Sequence, residues 1–154
     1  MPSPTPPPIR AVPVWLWVLI VLVACGITGW WLRAQHTHTE AIDTATRFVA
    51  AVRAGRHDQA FDLTLKAKGL AGRTLAEFEQ RTVRQVMGGA PMVIHETSPF
   101  QSNGNRLRRW LTGVEIEMPE ITVHMDLGAL PVKVALRRDA DGHWRVFNCQ
   151  ATAG

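Results

Sequence analysis

The stretch "EITVHMDL", Glu120 to Leu127, decides the fold of the larger part of this chain. Every second position is apolar, and these positions are Ile121, Val123, Met125 and Leu127. A period of two is typical of a β-strand with one buried and one polar face. The following stretch "PVKVALRR", residues 131–138, alternates in the same way. Together they predict two neighbouring strands of an antiparallel sheet that covers a core on one side.

Stretches with a similar period lie on both sides of this pair. They predict further strands at residues 92–100, 106–118 and 143–149. In the second of these, "RLRRWLTGVEIEM", the period places four apolar residues on one side, namely Trp110, Val114, Ile116 and Met118. "DADG", residues 139–142, is a hairpin-turn signal that joins the last two strands.

The part of the chain before the strands has the helical period of 3.6. A long helix is predicted to begin near residue 40 and to stop at Gly55, with one apolar face formed by Ala41, Ala45, Phe48, Val49 and Val52. A short helix follows at residues 58–65. Thr74 and Glu77 form a capping box that opens a third helix over 75–87. Helices followed by strands predict an α+β domain with the sheet packed on the long helix.

The N-terminal segment "AVPVWLWVLIVLVACGITGWWL", Ala11 to Leu32, contains no charged residue and lies between Arg10 and Arg33. Its helical length of about 33 Å matches the roughly 30 Å hydrocarbon core of a bilayer. Tryptophans, which favour the membrane–water interface, lie near both ends at positions Trp15, Trp17, Trp30 and Trp31. We therefore expect a membrane-spanning helix over residues 11–33.

The same segment has a second interpretation as a lipoprotein signal. Leu22 to Cys25, followed by Gly26, matches the cleavage pattern, and cleavage would remove residues 1–24 and leave Cys25 acylated. A lipoprotein usually continues with a polar tether, whereas this chain stays apolar to Leu32. Both interpretations remain open, the spanning helix is favoured, and either one places the domain on a membrane.

The sequence thus predicts a Pro-rich leader at 1–10, the membrane segment at 11–33, a polar stalk at 34–39 and a soluble domain at 40–150. A short leader is most simply retained in the cytoplasm. We therefore expect a single-pass protein of a bacterial inner membrane with its C-terminal domain in the periplasm. Within the helix, Cys25 and Gly29 form a small-xxx-small pair on which another helix could pack.

The order of these elements resembles the nuclear-transport-factor-2-like, cystatin-related superfamily. The resemblance is carried by the helix pair "ATRFVAAVRAGRHDQAFDLT" and the terminal strand "DADGHWRVFNC", and it covers roughly residues 40–150. It implies a cone-shaped domain in which a curved antiparallel sheet wraps a long helix. Membrane-anchored bacterial members, including the periplasmic scaffold subunit of type IV secretion systems, are similar in layout.

The resemblance supplies no catalytic residue. Isomerases and dehydratases of this superfamily use a Tyr hydroxyl in the cavity, and the chain contains no Tyr. The candidate bases lie on the polar sides of predicted strands, where we expect them to face solvent: Glu115, Glu117, His124 and Asp126. We therefore expect a protein that is not an enzyme, with an isomerase or dehydratase as the less favoured alternative.

Cofactors and nucleic acid are not expected either. The sequence has no Walker, GxGxxG, HExxH, CxxC or GxSxG motif. His36 and His38 lie in a predicted solvated stalk without the further ligands that a metal site requires. Beyond Arg33 the chain has 15 basic and 13 acidic residues, and this small excess argues against nucleic-acid binding.

Two sets of residues are candidates for binding. Trp110, Met118, Met125 and Trp144 are predicted to line the cone, where they could bind a small hydrophobic ligand. The stretch "RLRR" supplies a basic patch for phospholipid headgroups or an acidic partner, formed by Arg106, Arg108 and Arg109. We expect an accessory or scaffold protein that binds a protein partner in a membrane complex, with a ligand binder or sensor as the alternative.

The two interpretations of the N-terminal segment predict different results for Cys25→Ser. A spanning helix does not use the thiol, so the variant should stay in the membrane fraction, and the intact mass should still include residues 1–24. The check is membrane fractionation followed by intact-mass measurement. A wild-type chain that lacks residues 1–24 and carries acyl groups on Cys25, while the variant is released or keeps those residues as an unprocessed precursor, would establish the lipoprotein instead.

Overall fold

The structure is a computed structural model, and it describes residues 13–66, 70–86 and 91–152. The predicted leader at 1–10 and the first two residues of the predicted span lie outside the described residues. The helices are α1 Val14–Arg33, α2 Thr39–Arg53, α3 His57–Asp62, α4 Leu75–Arg81 and α5 Asn103–Leu111. The strands are β1 Met92–Ser98, β2 Glu120–Leu127, β3 Leu130–Arg138 and β4 Trp144–Ala151.

The first helix, α1, is long and apolar enough to cross a membrane. Its 20 residues correspond to about 30 Å of helix. No residue of α1 is buried against the rest of the protein, so its apolar surface is available to another environment. The prediction of one long apolar N-terminal helix is confirmed, and its insertion into a membrane stays a prediction.

The four strands form one antiparallel sheet in the order β1-β2-β3-β4. The alternation of β2 is borne out residue by residue, because its four odd-numbered apolar side chains are at most 1 % exposed. β3 pairs with β2 along its length without a bulge, from the pair of Glu120 and Arg137 to the pair of Leu127 and Leu130. The hairpin between β3 and β4 is also confirmed, since Asp139 and His143 are joined by a backbone hydrogen bond of 2.9 Å.

The long helix α2 packs its predicted apolar face on this sheet. All five residues of that face are buried. Phe78 of α4 is fully buried beside them, and its ring meets the ring of Phe48 nearly edge-on at 6.0 Å. The α+β class is therefore confirmed, with helices on one side of an antiparallel sheet, and the cone shape stays a prediction.

The predicted strand at residues 106–118 is wrong. The chain there forms α5, because Ser102 caps the helix by accepting a hydrogen bond from the backbone N–H of Asn105 at 3.1 Å. The helix ends before Gly113, which has a φ of +69° and so adopts the left-handed conformation that favours glycine. Consequently Trp110 lies on the outside of a helix and is 63 % exposed.

The third predicted helix is shorter than expected. Its capping box is present, since the side chain of Thr74 accepts a hydrogen bond from the backbone of Glu77. The helix ends at Arg81, because the buried hydroxyl of Thr82 donates to the carbonyl of Ala71 at 2.9 Å. A turn of 3₁₀ helix, Val83–Gln85, follows, and Met87 lies outside the described residues.

The segment 34–39 is not the solvated stalk that the sequence predicts. The backbone N–H of His36 donates to the carbonyl of Gln101 at 2.8 Å, and Gln35 forms an isolated bridge with Ser102. His38 is buried. The connection between α1 and α2 is therefore attached to the loop before α5, because these backbone groups find partners there instead of water.

The packing of α2 on the sheet predicts unequal effects for two phenylalanines. Phe48→Ala should lower the free energy of unfolding by about 3–5 kcal/mol, because it removes a fully buried ring and leaves a cavity. Phe100→Ala is the matched control, since that ring is 61 % exposed, and it should change the value by about 0.5 kcal/mol or less. Denaturant unfolding of the full chain in detergent, followed by far-UV circular dichroism, measures both. Equal losses would contradict the packing described here.

Candidate functional site

A cleft of ≈ 260 Å³ opens beside the start of α2. It is lined by His36, Thr37, His38, Thr39, Glu40, Glu117, Arg138 and Trp144. The β3–β4 hairpin contributes the last two, because its register pairs Arg138 with Trp144. The guanidinium carbon of Arg138 lies 5.0 Å from the centre of the Trp144 ring, which fixes the outer wall of the cleft.

Glu117 is the charged centre of this cleft. Arg106 Nη2 donates to Glu117 Oε1 at 2.6 Å, and Arg138 Nη2 lies 4.0 Å from the same oxygen. The hydrogen bond from Arg106 is the main reason why the pKa of Glu117 is lowered, and burial opposes it. The prediction that Glu117 faces solvent on a strand is wrong, because α5 brings Arg106 onto it. A carboxylate held ionised in this way is a weak base.

His38 is the least expected residue of the cleft. Its Nδ1 lies 3.9 Å from Glu117 Oε2, beyond hydrogen-bond distance, and its Nε2 is buried with no hydrogen-bond partner among the described residues. Burial lowers the pKa of His38, and His36 and Arg106 act in the same direction, while Glu117 opposes them. The imidazole is therefore held neutral, with one nitrogen free to bond a group that reaches it.

The cleft does not provide a metal centre. Among the described residues, no three His, Cys, Asp or Glu side chains converge as metal ligands. The rings of His36 and His38 meet edge-on at 5.0 Å instead of pointing at a common centre. The arrangement is suited to a small polar group that can bond to His38 and to the arginine side of the cleft.

The four residues predicted to line a hydrophobic cone do not surround one cavity. Met125 is part of the filled core, and Met118 packs against that core from its edge. Trp144 is buried beside the cleft, and Trp110 is exposed on α5. The prediction is wrong for Trp110, because its segment folds as a helix, and the side chains of β2 and α2 fill the space that the remaining residues would have lined.

The predicted basic patch is divided by α5. Arg106 turns inward to Glu117, and Arg109 Nε donates to the backbone carbonyl of Glu115 at 2.6 Å. Arg108 is exposed, and its closest polar contact is Asn105 Oδ1 at 3.5 Å. Of the three arginines, Arg108 is therefore the one whose charge is directed to the surroundings.

The remaining predicted site residues lie on surfaces. The His124 ring and the Ser98 hydroxyl share a hydrogen bond of 2.9 Å, and Asp126 pairs with His95 at 2.7 Å. His124 and Asp126 lie on the polar side of the sheet, as predicted. Cys25 is exposed on α1, and a Cβ atom added to Gly29 would meet nothing within 4 Å. The use of Cys25 and Gly29 as a packing face, and of Cys25 for lipidation, stays a prediction.

Sequence reasoning missed the open edge of the sheet at β1. The opposite edge is covered, because β4 exchanges backbone hydrogen bonds with Leu63 and Leu65 through Val146. Strand β1 pairs with β2 on one side, and its other side forms no backbone hydrogen bond with the described residues. Val93 is 44 % exposed on this strand, and Ile94 is also exposed.

The lowered pKa of His38 predicts that the protein loses stability in mild acid. The unfolded chain takes up the proton once the pH falls below the ordinary value of 6.5, whereas the folded chain resists it until a lower pH. The free energy of unfolding should therefore fall as the pH decreases from 6.5 through the pKa of His38 in the folded chain. Above pH 6.5 His38 is neutral in both states, so it should not make the free energy of unfolding depend on pH. His38→Gln should flatten this slope.

The measurement is denaturant unfolding of the full chain between about pH 7 and pH 5, together with an NMR titration of the His38 ring. His143→Gln is the matched control, because it makes the same change at an exposed position of the β3–β4 hairpin. A His38 titration midpoint at or above 6.5 would contradict the burial argument.

No family model and no curated protein matches the chain. The resemblance to the nuclear-transport-factor-2-like superfamily therefore stays a prediction that rests on the order of the elements, the helix pair and the terminal strand.

Proposed function

We propose that this chain is a non-enzymatic, membrane-anchored accessory or scaffold protein whose α+β domain binds a protein partner in a membrane complex. In this proposal α1 spans a bacterial inner membrane once, and the domain is a nuclear-transport-factor-2-like module in the periplasm. The observation that carries the proposal is the open edge of β1. An extended segment of a partner can add to such an edge as a further strand.

The anchoring part of the proposal is supported by the surface of α1. A helix of 20 residues with no buried side chain would expose its whole apolar circumference to water in a soluble protein. Lipid removes that cost, because hydrocarbon chains match the helix in both polarity and length. The tryptophans near each end favour the two membrane–water interfaces.

The partner part of the proposal is supported by the contrast between the two edges of the sheet. Exposed strand edges promote association, and proteins usually cover them or place charges on them. The segment around Leu63 and Leu65 covers β4, whereas the outer side of β1 forms no backbone hydrogen bond with the described residues, and Val93 and Ile94 are exposed. A partner strand would satisfy the free backbone groups and cover both apolar side chains.

A small ligand in the cleft beside α2 is the second candidate function. The buried Nε2 of His38 favours it, because an unsatisfied buried polar nitrogen is costly and a bound group would satisfy it. This cleft is open to solvent, and seven of the eight residues that line it have polar side chains, so a polar ligand would find groups to bond there. Catalysis is less favoured, since the hydrogen bond from Arg106 makes Glu117 a weak base and His38 lies too far from Glu117 to form a dyad.

Val93→Lys tests the partner proposal. A lysine on the open edge keeps the fold, because the Val93 side chain is exposed rather than part of the core, but it places a charge where a partner strand would pack. We expect the recovery of co-purifying subunits to fall about tenfold or more. The measurement is gentle detergent extraction of the tagged full chain from its native membrane, followed by affinity isolation and quantitative mass spectrometry.

Gln150→Lys is the matched control, because it adds the same charge to an exposed position on β4, the covered edge. It should leave the recovery of partners unchanged. Absence of any stoichiometric subunit from the wild-type isolate would contradict the proposal, and so would equal losses in the two variants. A small molecule that co-purifies with wild type but not with His38→Gln would support the second candidate.

A further inference from the structure

The helix α5 is amphipathic, but its apolar side faces outward and its polar side faces the domain, which is the opposite of an ordinary surface helix. Its apolar residues are spaced by three and four positions and all face outward: Leu107, Trp110, Leu111 and, just beyond the helix, Val114. We call these four residues the apolar stripe. Arg106 and Arg109 lie on the inward side, where they bond to Glu117 and to the carbonyl of Glu115. The helix thus packs on the domain through its polar side.

The apolar stripe is extensive for so short a helix. Its members are between 38 % and 68 % exposed, and no residue of α5 is buried. Contiguous exposed apolar residues are uncommon on soluble monomers and mark a surface that contacts something else. The stripe therefore needs an occupant that takes up a tryptophan and aliphatic side chains.

The position of α5 indicates what that occupant is. The backbone N–H of Asn103 donates to the carbonyl of Ala34 at 3.0 Å, and its side-chain amide donates to the carbonyl of Trp31 at 3.1 Å. Gly104 lies against Leu32 so closely that a Cβ atom there would come within 2.9 Å of the Leu32 carbonyl oxygen. Helix α5 therefore begins at the end of α1, where the apolar surface of α1 stops.

The charges near this junction fit an anionic surface. Neither α1 nor α5 contains an acidic residue, whereas Arg33 and Arg108 are both exposed. Trp30 and Trp31 lie at the same end of α1, and Trp110 adds a third exposed indole from α5. Tryptophan beside arginine is the composition that the boundary between lipid headgroups and acyl chains favours.

We propose that α5 is an interfacial helix that lies on the bilayer, with the apolar stripe at the boundary between headgroups and acyl chains and Arg108 at the lipid phosphates. The inference rests on the proposed function, because it requires that α1 spans the membrane. At about 1.5 Å per residue, nine residues extend roughly 14 Å from the end of α1, so the domain has a second contact with the membrane that fixes its tilt.

The test places a fluorescent label on the stripe in the full chain. Leu111→Cys is combined with Cys25→Ser and reacted with an environment-sensitive nitrobenzoxadiazole dye. Cys149 stays unlabelled because it is buried, and burial raises the pKa of its thiol to about 12. Asp141→Cys in the same background is the control, since this exposed residue lies in the β3–β4 hairpin. Both proteins are reconstituted into vesicles of phosphatidylcholine with or without phosphatidylglycerol, and flotation confirms their insertion.

The expected result is strong quenching at position 111 by nitroxides attached near the lipid headgroup, and weak quenching by iodide. Position 141 should show the reverse. Phosphatidylglycerol should strengthen the protection of position 111 about fivefold, and Arg108→Glu should abolish that gain. A label at 111 that is as accessible to iodide as the label at 141, in protein that floats with the vesicles, would overturn the inference and leave the anchor intact.

Two other results would also overturn it. Protection of position 111 from iodide without quenching by lipid nitroxides would place the stripe against protein, and against a second copy if protection rises with the protein-to-lipid ratio. Failure of the chain to float with the vesicles would refute the anchoring part of the proposed function, and this inference with it.

Discussion

The burial of β2 against α2 is the contact on which the rest of the domain depends. Alternate side chains of β2 point to the same side, and the apolar face of α2, centred on Phe48, covers them. Because that side of the sheet is closed by its own helices, the polar side is left to His95, His124 and Asp126. The side chains between β2 and α2 form a packed core, and this directs attention to the edges and surfaces of the domain.

The second organising feature is the junction between α1 and α5. Backbone and amide groups of Asn103 bond to carbonyls at the end of α1, and the connection through His36 is attached to the same loop. Arg106 extends this junction inward by pairing with Glu117, and His38 is buried beside that pair. Because the polar face of α5 packs on the domain, Arg106 reaches Glu117 in the cleft beside His38. For the same reason the apolar stripe of α5 faces outward.

The sequence pattern did not predict helix α5, because the pattern of its segment fits a strand as well as a helix. The stretch "RLRRWLTGVEIEM" fits both periods: Trp110, Val114, Ile116 and Met118 share a parity, whereas Leu107, Trp110, Leu111 and Val114 are spaced as a helical face. The choice between them is made outside the stretch, by the cap at Ser102 and by the contacts with α1 and Glu117. The same choice exposes Trp110, pairs β1 directly with β2, and brings Glu117 to His38. Consequently one misassigned element displaced the cone lining, the basic patch and the cleft together.

The sequence by itself determined the elements whose hydrophobic pattern fits only one type of secondary structure. The alternation of β2 and β3, the apolar face of α2, the "DADG" turn and the apolar length of α1 were all correct, because in each the local pattern and the burial agree. Only the tertiary structure decided the burial of His38, the partner of Glu117, the direction of the apolar stripe and the edge at β1. All four depend on contacts between residues that are far apart in the chain. A local period shows which side of an element is apolar, but it does not show which other element that side will contact.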